Sequence, residues 1–152
     1  MRQFLSTIVF SLLVVPVFAQ QTQYLGKLSS NRYDAQSVSN PYGAYGSPHS
    51  PTSVNNQFGT YGSPFSPLSV NNPYAVSAPR LYASDGTYLG RLSANRFDPE
   101  SVSNPFGAYG NPFSPTSINN QFSPYGSRFS PMSPRNPYST LAPRIIGGYG
   151  RR

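Results

Sequence analysis

A sixteen-residue unit runs through most of the chain, and its Pro, Gly, Asn and Ser recur so often that no window of a dozen residues supports an amphipathic helix. Ser37-Val38-Ser39-Asn40-Pro41-Tyr42 returns as Ser53-Val54-Asn55-Asn56-Gln57-Phe58 and again as Ser69-Val70-Asn71-Asn72-Pro73-Tyr74. A second series starts at Ser101, Ser117 and Ser133. Segments of the form Tyr-Gly-Ser-Pro-x-Ser-Pro, such as Tyr45 to Pro51 and Tyr61 to Pro67, separate the units.

A longer repeat contains the short one. The stretch from Tyr24 to Arg80 matches Tyr88 to Arg144 at an offset of 64 residues, with roughly two thirds of positions identical. Sixty-four is four sixteens, and the Tyr-Leu-Gly stretch fills the fourth place. Differences between the copies keep size and chemistry: Lys27 becomes Arg91, Tyr33 becomes Phe97, Tyr42 becomes Phe106 and Val54 becomes Ile118.

Local chemistry then predicts the elements. Asp98-Pro99-Glu100-Ser101, Ser50-Pro51-Thr52-Ser53 and Ser114-Pro115-Thr116-Ser117 place an N-cap residue before a proline. The following Asn-Pro or Asn-Asn-Pro stops any helix at once, so each unit is expected to hold a single helical or 3₁₀ turn. Arg80 to Ala83, Ser84-Asp85-Gly86 and Thr87 to Leu92 read as a β-hairpin whose Asp-Gly supplies positive φ. The equivalent strand of the first copy, Gln23 to Leu28, has no hairpin partner ahead of it, and Arg144-Ile145-Ile146 has no strand after it. These two orphans are expected to pair. The fold class expected is irregular and loop-rich, with short β-hairpins, one-turn helical or 3₁₀ segments, and two tandem pseudo-symmetric repeats.

Pro, Gly and Ser bias alone points to disorder. Aromatic residues at 14% and at fixed spacing point to order, and we weight the spacing more heavily. The first nineteen residues read as a cleavable export signal: Arg2 is the positive start, Phe4 to Phe18 is uncharged and apolar, and Val17-Phe18-Ala19 suits a signal peptidase. The apolar run is shorter than the ~20 residues that span a bilayer, so no transmembrane span is expected after cleavage. The expected division is 1–19 signal peptide, 20–86 first copy and 87–152 second copy, the copies forming one unit. Cysteine is absent, which in an exported chain leans towards a bacterial periplasmic or secreted protein.

The Tyr-Leu-Gly-x-Leu-Ser-x-Asn and Asn-Pro-Tyr/Phe-Gly-x-Tyr-Gly-Ser/Asn-Pro-x-Ser-Pro-x-Ser-Val/Ile-x-Asn segments resemble a set of exported bacterial repeat proteins. Those proteins carry one or several such units behind a signal peptide. The resemblance spans essentially the whole chain after the leader and implies a compartment and an architecture, with no reaction attached. Gln57 and Gln121 depart from it where Pro is common, and Ser133-Pro134-Arg135 replaces Ser-Val-Asn.

Catalytic chemistry has little to work with. The chain has one histidine and four carboxylates, Asp34, Asp85, Asp98 and Glu100. His49 is the only candidate base, yet its repeat equivalents are Phe65, Phe113 and Phe129, so a packing role is expected. Asp34 and Asp98 read as caps at the start of a turn, and Asp85 as part of its hairpin. A hard cation wants six or more oxygen ligands, and only Asp98 and Glu100 lie close in sequence. We therefore expect no catalytic residues, no metal, no cofactor and no enzyme.

Charge is the remaining lead. The net charge of +7 falls to about +6 without Arg2, and Arg32, Arg96, Arg80 and Arg144 recur by repeat. Export argues against nucleic acid as the partner of Arg and Tyr interleaved with Gly. The same chemistry suits an anionic polysaccharide, with tyrosine faces stacking on sugar rings, or an envelope protein. For the aromatics as a set the expected role is packing repeat against repeat; for the arginines, contacting such a partner and solvating the surface weigh equally. Two functions follow: a non-enzymatic structural or interaction protein of the bacterial envelope, or a flexible matrix or coat component acting by self-association.

Overall fold

A computed structural model describes residues 9, 11–14 and 22–148. Much of the expected leader and the basic end at 149–152 lie outside the described residues. Four short strands occur among those described: β1 (Gln23–Lys27), β2 (Arg80–Tyr82), β3 (Tyr88–Arg91) and β4 (Arg144–Gly147). They form one antiparallel sheet in the order β1-β4-β2-β3.

The hairpin lies where the sequence places it, with Tyr82 opposite Tyr88 and Arg80 opposite Arg91. Its turn differs in one detail. Only Gly86 takes positive φ (87°), while the Asp85 side chain accepts the Thr87 N–H at 3.0 Å. The orphan strands pair as expected, Tyr24 opposite Ile146 and Lys27 opposite Arg144. β4 also pairs with β2, setting Leu81 opposite Ile145 at the sheet centre.

Leu25, Leu81, Leu89 and Ile145, one from each strand, are fully buried. Ala83, Val54, Val102 and Ile118 complete a small apolar cluster, with Leu28, Val70 and Leu92 packed against it. Such a cluster stabilises the fold by roughly 1.5–3 kcal/mol per large buried side chain. Gly26 and Gly90 sit at irregularities in the pairing of β1 and β3 with φ of 88° and 94°. A Cβ on Gly90 would lie 2.5 Å from Cβ of Tyr109 and 2.6 Å from the Glu100 carbonyl, so only glycine fits.

Beyond the sheet, the expected one-turn helices are absent: no helix of either kind occurs among the described residues. In their place the chain makes hydrogen-bonded turns laid end to end. Ser37 N–H donates to Asp34 C=O, Asn40 to Ser37, Gly43 to Asn40, Ser47 to Gly43, Ser50 to Ser47 and Ser53 to Ser50. From Ser37 to Ser53 the steps are three, three, four, three and three residues, so five turns make one sixteen-residue unit. The same bonds recur 64 residues later, from Asp98 through Ser117.

The helices fail for a local reason. The residue opening a turn is mostly Ser or Asn, and its side-chain oxygen captures the N–H two residues on, as Ser37 does with Ser39 and Asn40 with Tyr42, both at 3.0 Å. The residue between is often Pro, which has no N–H. Only every third N–H is then left for the backbone, and a helix cannot propagate.

Asparagine amides tie the turns together. Asn40 Nδ2 reaches back six residues to the Asp34 carbonyl (3.2 Å), and Asn56, Asn72, Asn104, Asn120 and Asn136 do the same. Asn55 links one unit to the preceding one through the carbonyls of Val38 (2.7 Å) and Gly46 (3.0 Å). The opening serines, among them Ser37, Ser53, Ser69, Ser101, Ser117 and Ser133, are fully buried.

Candidate functional site

The turn chemistry that excludes helices also aims the aromatic rings. In Asn31-Arg32-Tyr33, Asn40-Pro41-Tyr42, Asn56-Gln57-Phe58 and Ser63-Pro64-Phe65 the ring residue comes two after the Asn or Ser that binds its N–H, at 3.0 to 3.2 Å. Tyr74 is held in the same way. The second copy repeats the arrangement at Phe97, Phe106, Phe113, Phe122, Phe129 and Tyr138. All eleven rings face solvent, from 81% exposed at Phe122 to 96% at Tyr33 and Tyr42. Within each copy, with His49 taking the place of a ring between Tyr42 and Phe58, spacings alternate between nine and seven residues.

This corrects the expectation that the rings pack repeat against repeat. Two classes exist. Tyr24 and Tyr45 meet edge to face with centroids 5.3 Å apart, as do Tyr88 and Tyr109 at 5.1 Å, while Tyr61 and Tyr125 pack on the apolar cluster. Only this inner class packs. His49 belongs to the outer class: it is exposed, with its N–H on Ser47 Oγ at 3.2 Å, so its expected packing role is also overturned. A sequence signal separates the classes. An outer ring stands two residues after Asn or Ser with Pro, Gln or Arg between, whereas inner Tyr45, Tyr61 and Tyr109 follow Ala or Thr; Tyr125, in Ser123-Pro124-Tyr125, has the outer pattern and is inner nonetheless.

Two outer rings and an arginine converge in each copy. Arg32, Tyr33, Asn40, Pro41 and Tyr42 line a shallow cleft of about 430 Å³. Arg96, Phe97, Asn104, Pro105 and Phe106, the residues 64 positions later, line one of about 360 Å³. The Asn side chain in each is consumed by the turn: Asn40 binds the Asp34 carbonyl and the Tyr42 N–H, and Asn104 binds the Asp98 carbonyl and the Phe106 N–H. What the cleft offers a ligand is therefore two apolar ring faces and one guanidinium. The second cleft lacks both phenol hydroxyls, so ring faces are what the copies share.

Arg80 and Arg144 lie elsewhere. They are exposed neighbours on the sheet, Arg80 opposite Ile146 and Arg144 opposite Tyr82. The four repeated arginines thus divide into one in each cleft and two on the sheet.

All four carboxylates are engaged with other groups. Asp34 pairs with Lys27 (3.5 Å), and Arg91 pairs with Asp98 (3.9 Å) and Glu100 (3.1 Å). Asp85 accepts from Thr87 N–H and from the Tyr125 hydroxyl at 2.9 Å, and the Thr87 bonds hold its carboxyl below the usual range. Arg32, Arg80, Arg96, Arg128, Arg135 and Arg144 consequently have no carboxylate partner among the described residues. The titrations that shift belong to the inner rings. Burial, followed by the charge of Glu100, pushes the Tyr88 phenol up to about 12, and its hydroxyl donates to Glu100 at 3.1 Å. Burial raises Tyr24 also, against the opposing charge of Arg144.

No cluster of three or more His, Cys, Asp or Glu able to hold a metal occurs among the described residues. No helix among them is long and apolar enough to cross a membrane. No protein-family model, curated protein or solved structure matches the chain.

Proposed function

We propose that this is an exported, non-enzymatic interaction protein of the bacterial envelope that associates with an anionic polysaccharide through its outward aromatic rings. One observation carries the reading: the duplicated cleft, with Arg32 beside Tyr33 and Tyr42 in one copy and Arg96 beside Phe97 and Phe106 in the other. A sugar ring is apolar on its faces and polar on its rim, so two aromatic walls receive the faces. A guanidinium at the edge matches a carboxylate bidentately. Neither cleft contains a carboxylate to oppose that charge. Arg80 and Arg144 add a basic face on the sheet that draws the polymer in at low salt.

The two copies act as one pseudo-symmetric unit in this reading. Support comes from the strand order, which maps onto itself when the copies are exchanged, and from Leu81 and Ile145, equivalent residues that face each other. Two clefts on one body raise the affinity for a polymer above that of either alone. A role confined to structure, with no reaction, is supported by the engagement of every carboxylate and by His49 standing alone in a ring position.

Affinity electrophoresis tests the proposal. Polygalacturonate in the gel retards the protein, and neutral dextran does not. Arg32→Gln with Arg96→Gln weakens the retardation at least tenfold. Equal migration in both gels contradicts the reading. A second reading, self-association into a coat, is favoured by the eleven exposed rings themselves, because apolar surface of that extent marks an interaction face. Concentration-dependent sedimentation without added polymer is its signature.

A further inference from the structure

We propose that the seam between the end of the second copy and the start of the first is a binding site for a phosphate group, built by Arg128, Arg135 and Ser30. The site stands apart from the twin clefts and does not depend on their reading. Arg128 occupies the second position of the Ser127–Ser130 turn, and Arg135 the third position of the Ser133–Asn136 turn. Arg135 N–H is fixed on Ser133 Oγ at 3.1 Å, so both side chains leave the chain from backbone held by hydrogen bonds. The Ser30 N–H donates to the Pro134 carbonyl at 3.0 Å and brings the first copy against them. Ser30, Arg128, Arg135 and Pro137 then line an open cavity of about 610 Å³, and the two arginines also border a second of about 200 Å³.

The chemistry of the lining selects the ligand. No carboxylate lines either cavity, and all four in the chain are engaged elsewhere. One planar guanidinium satisfies a carboxylate, whose two oxygens match one fork. Two guanidinium groups with a serine hydroxyl suit a tetrahedral oxyanion with more acceptor oxygens to share. No aromatic ring lines the larger cavity, unlike the twin clefts.

The site is present once, although the fold is duplicated. At the offset of sixty-four residues, Pro64 stands for Arg128 and Asn71 for Arg135, and Ala94 stands for Ser30. Both copies cross over in the same manner, Leu28 N–H to the Pro143 carbonyl and Leu92 N–H to that of Pro79, each 2.8 Å. The opposite seam therefore shares the leucine crossing, but none of the three side chains, and among the described residues no counterpart of the Ser30–Pro134 bond joins Ala94 to Val70. The substitutions coincide at one place, as a site requires.

The test titrates the ¹⁵N-labelled protein with inorganic phosphate, dimethyl phosphate and galacturonate, each against sodium chloride at matched ionic strength. Saturable shifts of the Arg128 and Arg135 Nε–H signals and of the Ser30 amide are expected with phosphate. Arg128→Gln and Arg135→Gln each weaken the apparent affinity at least tenfold while the remaining amide spectrum stays in place. Arg80→Gln with Arg144→Gln leaves it unchanged. Binding of dimethyl phosphate as well assigns the site to a diester within a polymer; binding of inorganic phosphate alone assigns it to free phosphate or a terminal monoester. Shifts that follow ionic strength, equal affinity for galacturonate, or an equal loss in the Arg80/Arg144 variant would each overturn the proposal.

Discussion

Tyr33 and Phe97 show how little is needed to hold an aromatic ring in water: an asparagine two residues back takes the ring residue's N–H, and the turn points the side chain out. Exposing so many large rings forgoes roughly 1.5–3 kcal/mol of burial for each, which is what motivates the proposal of a partner for them. Glycines act at the same scale. Gly90→Ala puts a Cβ against Tyr109 and Glu100 at a φ of 94°, so we expect a loss of about 3 kcal/mol, read as a lower urea midpoint. Tyr88 makes a pH prediction. Its folded pKa is raised to about 12 from the ordinary 10, so the neutral phenol is favoured by the fold. That contribution is complete below pH 10 and is lost as pH rises from 10 to 12. Denaturant melts across this window should show a shallower fall in stability for Tyr88→Phe than for the unsubstituted chain.

The turn chain is a different kind of element from a helix or strand, because side chains supply half of its bonding. Each bracing asparagine closes one turn through Oδ1 and holds a carbonyl six residues back through Nδ2, as Asn56 does with Phe58 and Ser50. Asn56→Ala removes both bonds and should cost about 1–2 kcal/mol in chemical denaturation, with Asn120→Ala costing the same. An equal melt for Asn56→Ala would show that the backbone turns stand unaided. These residues also explain what the sequence discloses. The hairpin is legible because Asp85-Gly86 is a strong local signal, and the pairing of the orphan strands because the 64-residue repeat leaves Gln23 to Leu28 and Arg144-Ile145-Ile146 each without a partner. The one-turn helices are misread because Ser-Pro suits a helix start and a chain of turns equally. The capture of the intervening N–H groups decides between them. Arg32 and Arg96 are found by repetition, whereas Arg128 and Arg135 are missed by it. Their signal is departure from the repeat at Pro64 and Asn71.

At the scale of the whole molecule, the sheet makes each copy depend on the other. β4, from the second copy, lies between β1 and β2 of the first, and Leu81 packs in a cluster drawn from all four strands. Residues 20–86 alone would leave β1 without a neighbour, so we expect that fragment to give a collapsed amide spectrum while the full chain gives a dispersed one. Leu89→Asp buries a charge in the same cluster and should unfold both copies in one transition. With the body fixed in this way, the proposed function makes the twin clefts two rigid contact points for one polymer. The most direct measurement is a ¹⁵N–¹H titration of the full chain with an oligogalacturonate of several sugars. The account predicts shifts concentrated at residues 31–42 and 95–106, abolished in Tyr33→Ala/Tyr42→Ala/Phe97→Ala/Phe106→Ala while the spectrum stays dispersed. Shifts spread evenly over the exposed arginines, or none at the clefts, would contradict it.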